Sequence, residues 1–381
     1  MNLNDKVVQL TMRILNFLRG DVDADSLTYV TAEIAYLLSQ LRDKQISDES
    51  EFYDFILALD CSLELKESLC EDAKKLGLWK TLRAYQGMFS FKDSFDVIAE
   101  CANHAEVNNF SVPASLVPLI VKVLSSEPGG LMADLACGRG TVIAEALKQD
   151  LDLKAVGVDI NQRTVNFAEM AVSPYGGRGL IKCESAFDYV ENQYARYDKV
   201  FCYPPFGLRA ERNSQFEKFQ KLFPESVLKI GAGTQVDLLF ALAAIYSMKD
   251  TGRAVVMLPE GSLSSLSSGA VAARNFMVQY GNLDCVIKLP ERMLERTSIN
   301  VSLLVFSKKE NRRHIRMIDA SALAVKGRRF NTIAPDNIDR IVSAVYGFAD
   351  WSGWGVEHTK NVSIEEIINN GCVLSATRYF T

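Results

Sequence analysis

Apolar residues recur at three- and four-residue spacing through 6–19, 26–42, 49–60 and 64–88, which predicts a series of amphipathic helices. The first carries Val7, Val8, Leu10, Ile14, Leu15 and Leu18 and reads as a soluble helix. Acidic, turn-rich pieces such as Asp21-Val-Asp-Ala-Asp25 separate the helices. Together they predict a helical N-terminal domain over 1–95, with its boundary somewhere in 88–108. From residue 130 the pattern changes. Short apolar runs at 131–135, 154–159, 179–183, 198–202, 253–258, 283–289, 301–306 and 315–319 read as strands. Helical stretches at 140–149, 161–172, 234–248 and 261–280 lie between them. Such alternation implies βαβ units and a mostly parallel sheet over 105–325, followed by a helical tail over 326–381.

With 48% hydrophobic and 23% charged residues, the 381-residue chain has the composition of a soluble globular protein. It has no apolar run of membrane-spanning length and no secretory leader pattern, so a cytoplasmic protein without membrane association is expected. Eight scattered cysteines without a Cys-x-x-Cys pair, and only three histidines, argue against a zinc site or a disulfide framework. Charge is uneven along the chain. Residues 1–100 hold 11 Lys/Arg against 18 Asp/Glu, and 288–329 hold 11 against 4. The basic stretch, with Lys308, Lys309, Arg312, Arg313, Arg316, Lys326, Arg328 and Arg329, is either a phosphate-binding surface or a solvated one. Ser262–Ser268 is expected to be a solvated loop or a helix lead-in.

Two loops carry candidate chemistry. Asp134-Leu-Ala-Cys-Gly138-Arg-Gly140 follows a strand and opens a helix, and Gly138 and Gly140 permit a tight turn close to a ligand. The next strand ends in Asp159, placed to accept hydrogen bonds from ribose hydroxyls. A dinucleotide site wants a third glycine where Ile143 stands, which favours S-adenosylmethionine over a pyrophosphate ligand. The second loop is Tyr203-Pro204-Pro205-Phe206-Gly207. Both loops fall just after strand C-terminal ends, where open α/β sheets bind ligands.

These segments resemble the modification subunit, a DNA adenine-N6 methyltransferase, of type I restriction–modification systems. Phe110-Ser-Val-Pro113 resembles that family's Phe-x-Thr-Pro segment, which closes over the methionine moiety. Asp134 to Gly140 resembles its Asp-Pro-Ala-Cys-Gly-Ser-Gly, with Leu135 and Arg139 in place of Pro and Ser. Cys183-Glu184-Ser185 occupies the place of a turn whose acid reads the cofactor adenine. Gln235 to Phe240, Gly252 to Gly261, Leu289-Pro290, Thr297 to Phe306 and the tail Leu374 to Tyr379 continue the likeness in order, over about 105–381.

The resemblance implies a class I methyltransferase fold, α/β and Rossmann-like, with a twisted, mostly parallel seven-stranded sheet and helices on both faces. It implies S-adenosyl-L-methionine held by Phe110, Pro113, Asp134, Gly138, Gly140, Asp159 and Glu184. In the family's Asn-Pro-Pro-Phe loop, the Asn carbonyl and the first proline's carbonyl accept both protons of the adenine amine. The aromatic ring stacks on a base extruded from the duplex. Tyr203, Pro204, Pro205 and Phe206 are the corresponding catalytic positions, with Tyr203 where Asn is expected. Because few residues follow the last predicted strand, reading a DNA sequence would need a separate specificity subunit, gripped by the N-terminal helices and the tail; a homo-oligomer is also compatible. Two alternatives stay open. One is a catalytically degenerate scaffold or regulatory protein in a defence or toxin-neutralising assembly. The other is a methyltransferase for RNA adenine or protein glutamine.

Overall fold

A computed structural model of the protein describes residues 24–42, 44–86, 90–103, 111–125, 127–223, 230–295, 297–307, 312–347 and 357–380, with Ile14, Leu18 and Val22. The expected helix over 6–19 lies almost wholly outside these residues.

All eight predicted strands form: β1 (Leu131–Asp134), β2 (Lys154–Asp159), β3 (Gly179–Cys183), β4 (Tyr197–Cys202), β5 (Met248–Pro259), β6 (Leu283–Lys288), β7 (Val301–Ser307) and β8 (His314–Asp319). After them come a two-residue ladder, β9 (Ala324–Val325) with β10 (Thr332–Ile333), and a late strand, β11 (Thr359–Ser363). The large sheet runs β11-β8-β6-β7-β5-β4-β1-β2-β3. Its pairings are parallel except where β7 lies between β5 and β6 and where β11 meets β8. The class I methyltransferase order β3-β2-β1-β4-β5-β7-β6 makes up seven of its nine strands, counted from the β3 edge.

Seven strands were expected and nine are present. β8 extends the sheet beyond β6, and β11 pairs antiparallel with β8, from Thr359 opposite Ile318 to Ser363 opposite His314. That ladder satisfies backbone groups an open edge would leave bare. The tail after 326 is therefore not purely helical. Its strand has one buried residue, Val362, too little alternation to register as a strand.

Strand parity divides the core. Ala254, Val256 and Leu258 of β5 face the helices Val236–Ser247 and Ser268–Gln279. Val255 and Met257 face the opposite layer, which holds the helices Val117–Leu124, Thr141–Gln149 and Pro335–Tyr346. β4 obeys the same rule: Val200 and Cys202 enter the first layer, Phe201 and Tyr203 the second. The direction of the Tyr203 side chain is thus set by the period of the strand it ends.

The N-terminal helices Ala24–Leu41, Glu49–Leu57, Leu63–Leu76 and Leu78–Tyr85 build a third cluster, which also takes in Phe167 and Met170 of the helix Gln162–Val172. A further helix, Phe91–Asn103, occupies the zone read as a boundary and packs against Ala24–Leu41. Polar ties reinforce the junction. Ser62, the N-cap of Leu63–Leu76, accepts from the Leu65 amide and donates its Oγ hydrogen to Glu169 Oε2 at 2.6 Å. Asn166 Nδ2 donates to Tyr29 Oη at 3.3 Å.

The serine run is not a solvated loop throughout. The stretch 261–280 divides into the helices Glu260–Ser264 and Ser268–Gln279, and Ser262 is buried with its hydroxyl donated to Asp237 Oδ2 at 2.8 Å. Among the described residues no helix is long and apolar enough to cross a membrane.

Candidate active site

The glycine loop is held from both sides. The Leu135 amide donates to the Phe201 carbonyl of β4 at 3.1 Å, and the Cys137 amide to the Val158 carbonyl of β2 at 2.9 Å. Gly138 and Gly140 have φ of +53° and +75°, a region costly for side chains with a Cβ. A Cβ at Gly140 would lie 3.1 Å from Ala168 Cβ, so this glycine also lets the loop seat on the helix behind it. A Cβ at Gly138 would meet nothing within 4 Å, because the space in front of it is open.

Two acids flank the loop. Asp159 accepts from the Gly138 amide at Oδ2 (3.1 Å) and from the Asn161 amide at Oδ1 (2.9 Å). Burial raises its pKa against the pull of these hydrogen bonds. Asp134 is enclosed at 1% exposure and accepts from the Ala136 amide at 3.2 Å. Burial, with a smaller contribution from Asp159, pushes its pKa up to about 8. The Glu184 amide donates to the Asp159 carbonyl at 3.0 Å, which brings the turn after β3 alongside the end of β2.

The Pro-Pro loop leaves β4 next to these groups. Tyr203 is 5% exposed, and Phe206 meets it edge-on with ring centroids 5.3 Å apart. The Tyr203 hydroxyl makes no hydrogen bond to a described residue, and burial holds its pKa above the usual phenol value. Pro204 is buried and Pro205 half-buried, and Gly207 turns the chain at φ +80°.

One cavity of about 450 Å³ joins the two loops: Gly138, Asp159 and Glu184 line it together with Tyr203 and Pro205. That volume lies in the range of small-molecule and cofactor sites. Asp134, Gly140, Pro113, Pro204 and Phe206 are not in its lining. Asp134 and Gly140 belong to the loop that forms the wall, and Phe206, half-buried, meets Tyr203 edge-on. Pro113 accepts from the Leu116 amide at 2.8 Å and stands back, while its neighbour Ser111 reaches the cavity. Phe110 lies outside the described residues.

The open space before Gly138 and the acid at the end of β2 leave room for a ligand with hydrogen-bond donors, and Asp134 is enclosed in the wall behind them. Arg139 does not fill the cavity with charge. Its guanidinium turns to the helical layer, where Nη1 donates to the Cys101 carbonyl at 2.8 Å and the group lies 4.9 Å from the Phe167 ring centroid.

Sequence reasoning missed Phe187 and Gln215. Phe187 lines the cavity within an aromatic group, 4.8 Å from Phe240. Gln215 also lines it, and its Nε2 donates to Ser185 Oγ at 2.6 Å and Asp188 Oδ2 at 2.8 Å. A lone glutamine at the start of a seven-residue helix gives no local signal.

Residues 96–381 match the model of the N-6 DNA Methylase family. The chain is 23% identical over 252 residues to the methylase subunit of the type I restriction enzyme MpnII of Mycoplasma pneumoniae, covering 61% of this chain and 46% of that protein. It is 24% identical over 286 residues to the methylase subunit of the type I restriction enzyme HindI of Haemophilus influenzae, covering 71% and 63%. It therefore spans less than two thirds of either relative's length. The type I restriction–modification methyltransferase subunit of Streptococcus thermophilus superposes with a TM-score of 0.76 at 18% identity, covering 98% of this chain and 99% of that one, a likeness of fold.

Proposed function

This chain belongs to the N-6 DNA Methylase family, and we propose that it is the S-adenosylmethionine-dependent adenine-N6 methyltransferase subunit of a type I-like restriction–modification system, working with a separate specificity subunit on DNA. The observation that carries this is the single cavity lined at once by Gly138, Asp159 and Glu184 and by Tyr203 and Pro205. A methyl donor and an acceptor base must share one enclosed space, because transfer needs near-contact between reacting atoms.

In this reading Asp159 accepts from the ribose hydroxyls and Glu184 stands at the adenine end. Asp134 offers its carboxylate to the ammonium of the methionine moiety. The cofactor supplies an electrophilic methyl group. An adenine amine is a poor nucleophile while its lone pair is delocalised into the ring, and hydrogen-bond acceptors on its two protons localise that pair. The Pro204 carbonyl is one acceptor, and Phe206 stacks on the extruded base.

A second reading rests on one residue. Tyr203 replaces an amide carbonyl with a phenol buried against the apolar layer, which favours a fold kept for cofactor sensing or assembly without turnover. The deciding experiment is calorimetric titration with S-adenosylmethionine, using Asp159→Ala as control, followed by methyl transfer to duplex DNA with a specificity subunit supplied. Micromolar binding lost in the control, then methylated adenine, supports the first reading. Binding without transfer supports the second. No binding with or without the partner removes the first reading and the cofactor-sensing form of the second, and leaves an assembly scaffold.

A further inference from the structure

The basic stretch noted in the sequence is not one surface. Arg312 donates to Asp284 Oδ1 at 2.7 Å and to the Leu283 carbonyl, and Arg316 donates to the carbonyls of Ala344 and Val345 at 2.7 and 2.8 Å. Those two cations are spent on holding β8 and the tail. Lys308 and Lys309 lie outside the described residues. Arg313 is exposed just before β8, at the opposite sheet edge, and the other exposed cations among the described residues of the stretch are carried by two loops, the one after β6 with Arg292 and the one after β8 with Lys326, Arg328 and Arg329.

These loops are braced into one body. The Asn331 amide donates to the Arg292 carbonyl at 2.7 Å and its Nδ2 to the Glu291 carbonyl at 2.8 Å. Arg292 Nη2 donates to the Arg329 carbonyl at 3.1 Å, and the Gly327 amide to Asn331 Oδ1 at 3.2 Å. A Cβ at Gly327 would sit 1.9 Å from the Phe330 carbonyl oxygen, so the backbone doubles back tightly there. Among the described residues of the two loops the opposing acids are Glu291 and Glu295.

Topology gives the loops their meaning. β6 and β8 run parallel to β4, so both loops emerge at the sheet edge that carries the glycine loop and the Pro-Pro loop. Along that edge β8 lies four strand positions from β4. At about 4.8 Å per step this is about 19 Å. A duplex rises 3.4 Å per base pair and carries a phosphate charge every 1.7 Å or so of axis. A base delivered to the Pro-Pro loop thus has flanking phosphates within about half a helical turn of these cations.

Resting on the nucleic-acid reading above, we propose that Arg292, Lys326, Arg328 and Arg329 form a phosphate-contacting surface that tracks the duplex beside the target base. The contacts are to backbone, so they carry affinity and register and no sequence preference.

The test compares the wild-type protein with a triple variant, Lys326→Gln, Arg328→Gln, Arg329→Gln. The probes are a 20-base-pair duplex of arbitrary sequence titrated over a range of salt, S-adenosylmethionine titrated separately, and poly-glutamate as an acidic polypeptide. The expected result is a plot of log affinity against log salt shallower by about 2.7, that is 0.9 for each contact removed, with cofactor affinity unchanged. An unchanged slope, or a wild type that binds no duplex, overturns the proposal. So does a variant that keeps its duplex affinity and loses binding to poly-glutamate, because the surface would then belong to an acidic protein partner. If the slope falls but neither protein binds the cofactor, the surface stands and the methyltransferase reading fails.

Discussion

Arg139, in the middle of the glycine loop, donates from Nη1 to the carbonyl of Cys101, 38 positions earlier on another layer of the molecule. It is 5% exposed, and its guanidinium also lies over the ring of Phe167. The wall of the cavity is therefore fastened to the N-terminal helices. A small residue here, as in the resembled motif, would leave the Cys101 carbonyl without this donor and the ring without its cation.

Replacing Arg139 by Ser is accordingly expected to destabilise the protein by about 2–4 kcal/mol. A charged hydrogen bond contributes about 1.5–3 kcal/mol and a desolvated cation–π contact up to about 2. Cofactor affinity should fall with it, because the loop loses its anchor. Thermal unfolding and calorimetric titration of Arg139→Ser read the two effects. Tighter cofactor binding in the variant would mean that the arginine obstructs the site.

Tyr203 decides between turnover and its absence. Tyr203→Asn restores an amide acceptor, and in a working site the methylation rate should rise by about 10²–10³, the range measured for one positioned hydrogen-bonding group. Tyr203→Phe should leave the rate where it is, since the hydroxyl has no described partner. Single-turnover methylation of a duplex, with a specificity subunit present, measures both. A large loss in Tyr203→Phe would instead assign the phenol oxygen a part in the chemistry.

Asp134 gives a pH signature. In the folded protein it keeps its proton up to about pH 8, whereas an unfolded chain sheds it near pH 4. Between those values the unfolded state binds fewer protons. The stability contributed by this group is full below about pH 4 and is lost as pH rises through about 8. A cationic ligand reverses the balance, because it prefers the ionised carboxylate. Affinity for S-adenosylmethionine should therefore climb from pH 6 to 8 by up to about tenfold per unit, with proton release visible as a buffer-dependent heat. In Asp134→Asn the affinity should be low and nearly flat with pH over that range.

Much of this was legible in the chain, and the reasons differ from place to place. β5 and β7 read clearly because buried strands are nearly continuous in apolar residues. β11 did not, since Thr359 to Ser363 offers one buried side chain and is a strand only because β8 presents an edge. The helix Phe91–Asn103 lies where the sequence suggests a boundary, although its Val97, Ile98 and Cys101 are buried against the helical layer. Gly138 and Asp159, which line one cavity, stand out in the sequence by their spacing. Gln215 and Phe187 reach the same cavity from segments with no periodic or motif signal, so only the folded chain brings them there. The basic stretch divided unpredictably, because a sequence does not say which arginines meet a carbonyl and which meet water.

The tail offers a last prediction. Arg274 is fully buried in the helix Ser268–Gln279. It donates to the carbonyls of Cys372 at 2.7 Å, Ser262 at 2.8 Å and Ser265 at 2.6 Å. Glu260 adds a second clasp, accepting from Ser375 Oγ at 2.6 Å, and the Leu374 amide donates to the Leu263 carbonyl at 3.0 Å. The same segment holds Ser262, whose hydroxyl serves Asp237 one residue from the cavity-lining Val236. Arg274→Met keeps the volume and strips the donors, which orphans buried carbonyls at about 1–3 kcal/mol each. The variant should unfold at clearly lower denaturant and release residues 372–380 to limited proteolysis before the sheet is cut. Glu260→Gln, which keeps an acceptor for Ser375, should remain close to wild type in both measurements. If Arg274→Met leaves the tail as protected as before, the clasp is held by Glu260 and the Leu374 ladder, and the arginine is there for packing alone.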